Sequence, residues 1–270
     1  MANEQYTHGH HQSVLRSHSS RTAQNSCAYL LPSLKPDMHV LDIGCGPGTI
    51  TLDLAKLVPQ GHATGVEPSS EDTLQKARDD AVQAGVNNIT YALADAHALH
   101  FPDASFDVVH AHQVLQHVAE PIKALREMIR VTKQGGFVAV RETDLDAMTW
   151  FPANDGVKLW HTTHDKVGRS NGGEPNAGRR LLSWALQAGL KREQVTATAS
   201  TWCYTTPEEL AWFSESWAER VVSSSFAESA LERGFVTQEG LYSMSQGWRD
   251  WGAQADAWFT MLHGEILCKV

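Results

Sequence analysis

The residues best suited to chemistry lie in Val40-Leu41-Asp42-Ile43-Gly44-Cys45-Gly46-Pro47-Gly48-Thr49, where an acid is followed by three glycines at alternate positions. Glycine removes side chains and permits unusual backbone angles, so a ligand can rest against the main chain. A nucleotide-like group would then sit at the carboxyl end of the preceding strand, where open α/β sheets bind ligands. Glu67, in Gly65-Val66-Glu67-Pro68-Ser69, stands 19 residues beyond Gly48. A strand-end acid there can accept hydrogen bonds from both hydroxyls of a ribose. Asp95, in Leu93-Ala94-Asp95-Ala96, can accept from the exocyclic amine of an adenine. Taken singly, Glu67 also reads as an exposed strand-end acid and Asp95 as a helix cap. A fourth segment, Phe106-Asp107-Val108-Val109-His110-Ala111-His112, would bring backbone carbonyls to the remainder of the same ligand.

These groups need elements to hold them. The run His39–Ile43 reads as a buried strand stopped by glycines, followed by a helix over Thr49–Leu57. Further strands are expected at Ala63–Val66, Ile89–Ala94, Phe106–His110 and Phe137–Arg141, with helices at Thr22–Leu34, Ser70–Ala84 and Glu120–Val131. Such alternation implies a parallel, doubly wound sheet with right-handed crossovers. Beyond Asp144 the character changes, since all nine Trp lie at or after Trp150. A helix is expected at Arg179–Ala188, a strand near Gln194–Tyr204, mostly helix over 207–256, and strands at Trp258–Leu262 and Glu265–Val270. Residues 1–35 read as an N-terminal arm or lid. Residues 36–270 read as one domain with helical insertions on the substrate side at about 145–193 and 207–256. Trp150, Phe151 and Trp160 are the residues expected to wall an apolar pocket, because ligand sites are lined largely by aromatic groups. The competing expectation is that most Trp are core.

Bulk composition narrows the partners. The chain has 270 residues, 42% hydrophobic and 20% charged, with a formal charge of -9. That balance disfavours a phosphate backbone as the main substrate, so no nucleic acid is expected. No apolar stretch approaches a membrane span, and no secretory signal opens the chain. The four cysteines form no CxxC pair, which suits reduced thiols in a cytoplasmic protein. His8, His10 and His11 cluster near the start, without a fixed Cys or carboxylate partner, so no metal is expected.

Asp42-x-Gly44-x-Gly46-x-Gly48, Glu67, Asp95 and the Phe106–Val118 segment together resemble the motifs of class I methyltransferases. The stretch from Phe106 through His117 to Arg130-Val131-Thr132-Lys133-Gln134-Gly135-Gly136 is similar to the ubiquinone/menaquinone-biosynthesis branch. The N-terminal run from Ser17 to Pro36 and the closing Trp258…Gly264-Glu265-Ile266 look like fungal members of that branch. Among these the chain particularly resembles the bis-thiomethyltransferases acting on dithiol forms of gliotoxin-like compounds. The resemblance implies an α/β fold, a doubly wound Rossmann-like seven-stranded mostly parallel sheet with helices on both faces. It implies S-adenosyl-L-methionine as cofactor, with S-adenosyl-L-homocysteine as product. The Gly44–Gly46 backbone, with Cys45 between, would approach the methionine portion. Asp42 would order the loop and reach the amino group through water. Glu67, with Pro68 beside it, would bind the ribose, Asp95 the adenine amine and the Ala96 backbone a ring nitrogen. His110 and His112 would flank the methionine end, and Tyr6 and Arg21 would close over the cofactor.

Methyl transfer from a sulfonium is an in-line displacement, so positioning and desolvation do most of the work. A thiol acceptor needs only to ionise, and free thiols do so near ~8.5. Carbon or oxygen acceptors need a base, for which His112 is the candidate; His117 reads as structural. The expected function is therefore methylation of a small molecule, with thiol sulfur of a fungal dithiol metabolite as first choice. C- or O-methylation of a quinone or other metabolite is the alternative. A nicotinamide dehydrogenase would want G-x-G-x-x-G, and Gly48 comes too early for it. A non-catalytic regulator that binds the cofactor is the remaining rival.

Overall fold

Short apolar runs bounded by turn residues become the strands of one sheet. The computed structural model describes residues 20–68 and 70–270; Tyr6, His8, His10 and His11 lie outside the described residues. The strands are β1 (His39–Ile43), β2 (His62–Glu67), β3 (Ile89–Leu93), β4 (Phe106–His112), β5 (Thr132–Thr143), β6 (Thr149–Phe151), β7 (Val195–Tyr204) and β8 (Trp258–Lys269). Their order is β3-β2-β1-β4-β5-β8-β6, with β7 also on β8. Strands β1 to β5 pair in parallel. Strand β8 runs antiparallel to β5, β6 and β7. The mostly parallel α/β sheet is thus as expected, with the three-residue β6 as an eighth strand among the described residues.

The helices are α1 (Ala23–Ser26), α2 (Thr49–Leu57), α3 (Glu71–Gln83), α4 (Pro121–Val131), α5 (Asp155–Ser170), α6 (Leu181–Gln187), α7 (Pro207–Ser223), α8 (Ser225–Glu232) and α9 (Gln238–Gly252). Side chains of a strand alternate between faces, and the helices divide accordingly. Leu41, Ile43, Val109, Val138 and Val140 face α4 and α6. Val40, Val108 and Ala139 face α2 and the N-terminal turn. A second core gathers Trp160, Trp217, Trp248, Trp251 and Phe259 from α5, α7, α9 and β8, which bears out the expectation that large aromatics are mostly buried. No helix among the described residues is long and apolar enough to cross a membrane.

Three local expectations need correction. The helix expected over Thr22–Leu34 stops after four residues and a 3-10 turn follows at Leu31–Ser33. Thr22 and Asn25 cap the start reciprocally, but Cys27 leaves helical geometry with φ -139°, and Pro32, which lacks an N–H, is accommodated in the first turn of the 3-10 helix. The helix at Arg179–Ala188 is not an insertion: Leu181, Trp184 and Ala185 pack on the sheet core beside α4, as a crossover helix does. The two closing strands are one continuous β8. Gly264 does not break it; a side chain there would strike the backbone oxygen of Gly178, so glycine marks a close approach of a turn to the sheet.

Candidate active site

The site grows from the loop after β1. Gly44 has φ +64°, a left-handed angle that favours glycine, and a Cβ there would collide with Val114. The bare loop therefore packs directly against the segment following β4. Asp42 and His110 both lie beneath it. The Asp42 carboxylate accepts from Thr51 Oγ1 at 2.5 Å and lies 2.7 Å from His110 Nδ1. A carboxylate accepts only, so Nδ1 carries the proton. Asp42 and His110 are both buried. The structure therefore corrects two expectations: neither side chain opens onto the loop's outer surface, and together they tie α2 to β4 from below.

Glu67 closes β2, as expected, and its Oε1 accepts from the Gly46 N–H at 2.5 Å. Burial pushes its pKa up, with the Gly46 bond working the other way. Pro68 follows it on the surface, and Cys45 is buried against the same loop with its thiol pushed up by burial. Asp95 is exposed, and its Oδ1 accepts from both the backbone N–H and Nδ1 of His97 at 2.8 Å. Burial works against ionisation there, but the His97 bonds outweigh it and the pKa falls. Ala96 follows, half-buried. Glycine backbone, Glu67 and Asp95 therefore stand at the carboxyl ends of the adjacent strands β1, β2 and β3.

Gln113 comes directly after β4 with φ +56°. Its amide accepts from Arg21 Nη2 at 2.6 Å and lies 3.0 Å from His263 Nε2. The segment behind it is clasped by Glu142, whose carboxylate accepts from the N–H groups of Val114, Leu115 and Gln116 at 2.9, 2.8 and 3.3 Å. Burial pushes the Glu142 pKa up to about 8 while these three bonds work to lower it. Glu142 thus positions Gln113 and Val114 together. Glu142→Gln, which keeps the shape but turns an acceptor into a donor, is expected to cost roughly 1–3 kcal/mol in stability. Urea midpoints of the two proteins will show it.

Gln113 and Arg21 also line a cavity of about 340 Å³, walled by Trp202, Tyr204, Trp212 and Trp217. Trp150, Phe151 and Trp160 are not among its walls. Trp160 is wholly buried in the second core, Trp150 stacks on Phe259, and Phe151 is 56% exposed. The aromatic wall comes instead from β7 and α7, because the sheet's last strands return the later Trp residues to the β4 end. His112, 5% exposed, stacks near His263 with ring centroids 6.2 Å apart. Burial, then Arg21 and Arg141, hold its pKa well below the usual imidazole value. His117 lies beside Gln116 in a 3-10 turn, with its pKa lowered by burial to about 4.

Residues 34–189 match the family model described as a methyltransferase domain. The chain belongs to that family. Over 98% of its length it is 34% identical to an uncharacterized methyltransferase of Schizosaccharomyces pombe, covering 96% of that protein. Among solved structures, the YcgJ protein of Bacillus subtilis shares the fold with a TM-score of 0.57 and 18% identity, over 91% of this chain and 98% of that one. A phosphoethanolamine N-methyltransferase of Haemonchus contortus, solved with S-adenosylhomocysteine, aligns with a TM-score of 0.54 at 18% identity over 87% of this chain and 50% of its own. This methyltransferase is an S-adenosylmethionine-dependent enzyme of class I. Its sequence did not point to Thr51, Gln113, Arg141, Glu142 or Trp202. A buried charge in an apolar strand was the available signal for Arg141 and Glu142; Trp202 carried none.

Proposed function

We propose that this methyltransferase S-methylates thiols of a small dithiol metabolite of the gliotoxin type, in the cytoplasm. The observation that supports it best is the aromatic cavity beside Gln113, directly after the strand that follows the bare Gly44–Gly46 loop in the sheet. A partly enclosed pocket with aromatic walls and polar groups such as Arg21, Glu209 and Arg220 among them suits a compact acceptor that carries polar atoms. The likeness of the N-terminal run and the closing strand to fungal thiol methyltransferases supports the acceptor class, and the four free cysteines suit a reducing compartment.

The cofactor fits the donors present. When bound, S-adenosylmethionine supplies an activated methyl carbon on a sulfonium. Glu67 would take both ribose hydroxyls, exchanging its Gly46 bond for them, and Asp95 the adenine amine. The Ala96 backbone would meet a ring nitrogen. The Gly44–Gly46 backbone, with Cys45 and Pro68 alongside, would lie against the ligand. Asp42 and His110 hold that loop from beneath. Tyr6 and Arg21 would close over the site, with residues 1–35 as lid and the inserted helices as substrate wall. His112 would face the acceptor.

Incubation of the full chain with labelled S-adenosylmethionine and a panel of dithiols, quinols, phenols and amines tests this reading. Methylated sulfur supports it; product only from a quinol or phenol replaces it with C- or O-methylation, and no product from any class points to a regulator. Glu67→Ala is expected to weaken S-adenosylhomocysteine binding by about tenfold to a hundredfold, the worth of a charge-assisted hydrogen-bond pair. Calorimetry showing unchanged affinity would remove Glu67 from the site.

A further inference from the structure

One face of the sheet changes character along its strands. Near the amino ends of the parallel strands it is apolar, with Val40, Val108 and Ala139 under α2 and the N-terminal turn. Towards the carboxyl ends, on the same face, strand register aligns His112 with Arg141, Arg141 with Glu265 and Glu265 with Thr198. His263 lies two residues along β8 from Glu265, opposite Ser200. Arg141 is 1% exposed. Its Nε donates to Glu265 Oε1 at 3.2 Å and to Ser200 Oγ at 3.1 Å, and its guanidinium lies 4.8 Å from the Trp202 ring centre. Glu265 also accepts from Thr198 Oγ1 at 2.9 Å.

Four side chains of this patch keep buried polar atoms without partners: Arg141 at Nη1, Tyr29 at Oη, His263 at Nδ1, and His112 at both Nδ1 and Nε2. Buried polar groups nearly always find a partner, so unpartnered ones gathered in one place call for a polar ligand or ordered water. An arginine Nη and a tyrosine hydroxyl both donate, and a neutral imidazole donates from one nitrogen. The ligand such a set favours is an acceptor of hydrogen bonds with negative charge. The charged groups facing the patch are Arg21, Arg141 and Glu265; the Asp42 carboxylate is taken by Thr51 and His110, and that of Glu142 by the backbone behind β4. Trp202 and Gln113 join the patch to the aromatic cavity.

We propose that Tyr29, His112 and Arg141, which stand behind Trp202 and Gln113 of the cavity wall rather than in it, form the inner end of the acceptor site and take the acceptor as the anion of an acidic X–H group, a thiolate or a phenolate. The inference rests on the cavity being the acceptor site, as proposed above. The acceptor's X–H releases its proton to solvent as it binds. The lone pair of X⁻ then forms the X–C bond while the carbon–sulfur bond of the sulfonium breaks, and that electron pair stays on sulfur. The positive charge of Arg141 lowers the proton affinity of X before transfer. Burial brings Arg141 down only to about 10, so it remains a cation at neutral pH.

The test uses 4-nitrothiophenol, and in a second arm 4-nitrophenol, titrated into the full chain saturated with S-adenosylhomocysteine. Absorbance reads the ionisation of the bound probe without turnover. The bound probe's pKa is expected to lie about one unit or more below its free value, the effect of a nearby positive charge. Arg141→Gln should abolish the shift, and Tyr29→Phe, which deletes a single hydroxyl and keeps the fold, should reduce it. A shift with only one probe assigns the acceptor to that class. Normal S-adenosylhomocysteine binding with an unshifted or raised probe pKa, or with no saturable binding of either probe, overturns the inference. Failure of S-adenosylhomocysteine itself to bind would instead sink the reading of the site.

Discussion

Acidification from pH 7.5 to 5 is expected to destabilise the methyltransferase steeply, by roughly 3 kcal/mol per pH unit once below the ordinary imidazole range. Burial holds His112 and His263 well below 6.5, His117 at about 4 and His164 at about 3. Each is neutral in the fold and charged in the unfolded chain between its folded value and 6.5. The unfolded state then binds more protons, so stability is present above 6.5 and lost as pH falls. Glu142 and Glu67 act oppositely, because burial raises both and the fold keeps their protons longer. They offset at most two of the four, leaving about two protons and hence the slope given. Domain stabilities of about 5–15 kcal/mol put unfolding within a few units of neutrality. Thermal midpoints at pH 7.5, 6 and 5 measure it. His164→Phe, which buries no titratable ring, should flatten the slope by about one proton. Equal midpoints at pH 7.5 and 5 would contradict the assignment of these rings as buried and neutral.

Replacing Asp42 by Ala is expected to cost about 3–5 kcal/mol, the loss of two hydrogen bonds to a buried carboxylate at about 1.5–3 kcal/mol each, and to weaken cofactor binding about tenfold or more. The carboxylate joins Thr51 at the start of α2 to His110 in β4, and no water reaches any of the three. Without it Thr51 loses its acceptor, the His110 Nδ1–H is stranded, and the glycine loop keeps its left-handed angles with nothing beneath. Asp42→Asn retains an acceptor for Thr51 and should lose about half as much stability. Urea midpoints and calorimetry with S-adenosylhomocysteine read the two effects separately. An Asp42→Ala protein as stable as the parent would show that the buried network does not hold the loop.

The places of the glycine turn, Glu67 and Asp95 at strand ends were legible because they follow from position along a strand, which needs no distant partner to be recognised. Asp42 and His110 were legible as residue types but not in direction: whether a side chain opens to the ligand or turns into the sheet depends on the neighbouring strand. Trp150, Phe151 and Trp160 misled for the same reason, since nearness in sequence to β5 says nothing about which face a helix presents.

The sequence by itself determined the β-α alternation, the parallel sheet and the bare loop with its two acids, because apolar periodicity and glycine spacing are local properties of the chain. Only the tertiary structure decided that His112 and Arg141 stand side by side, that Trp202 from β7 covers them, and that Glu142 clasps the segment after β4. Those contacts join residues from 26 positions apart, Gln116 and Glu142, to 90, His112 and Trp202, and they exist only once β8 has inserted between β5 and β7 and fixed the register of the row.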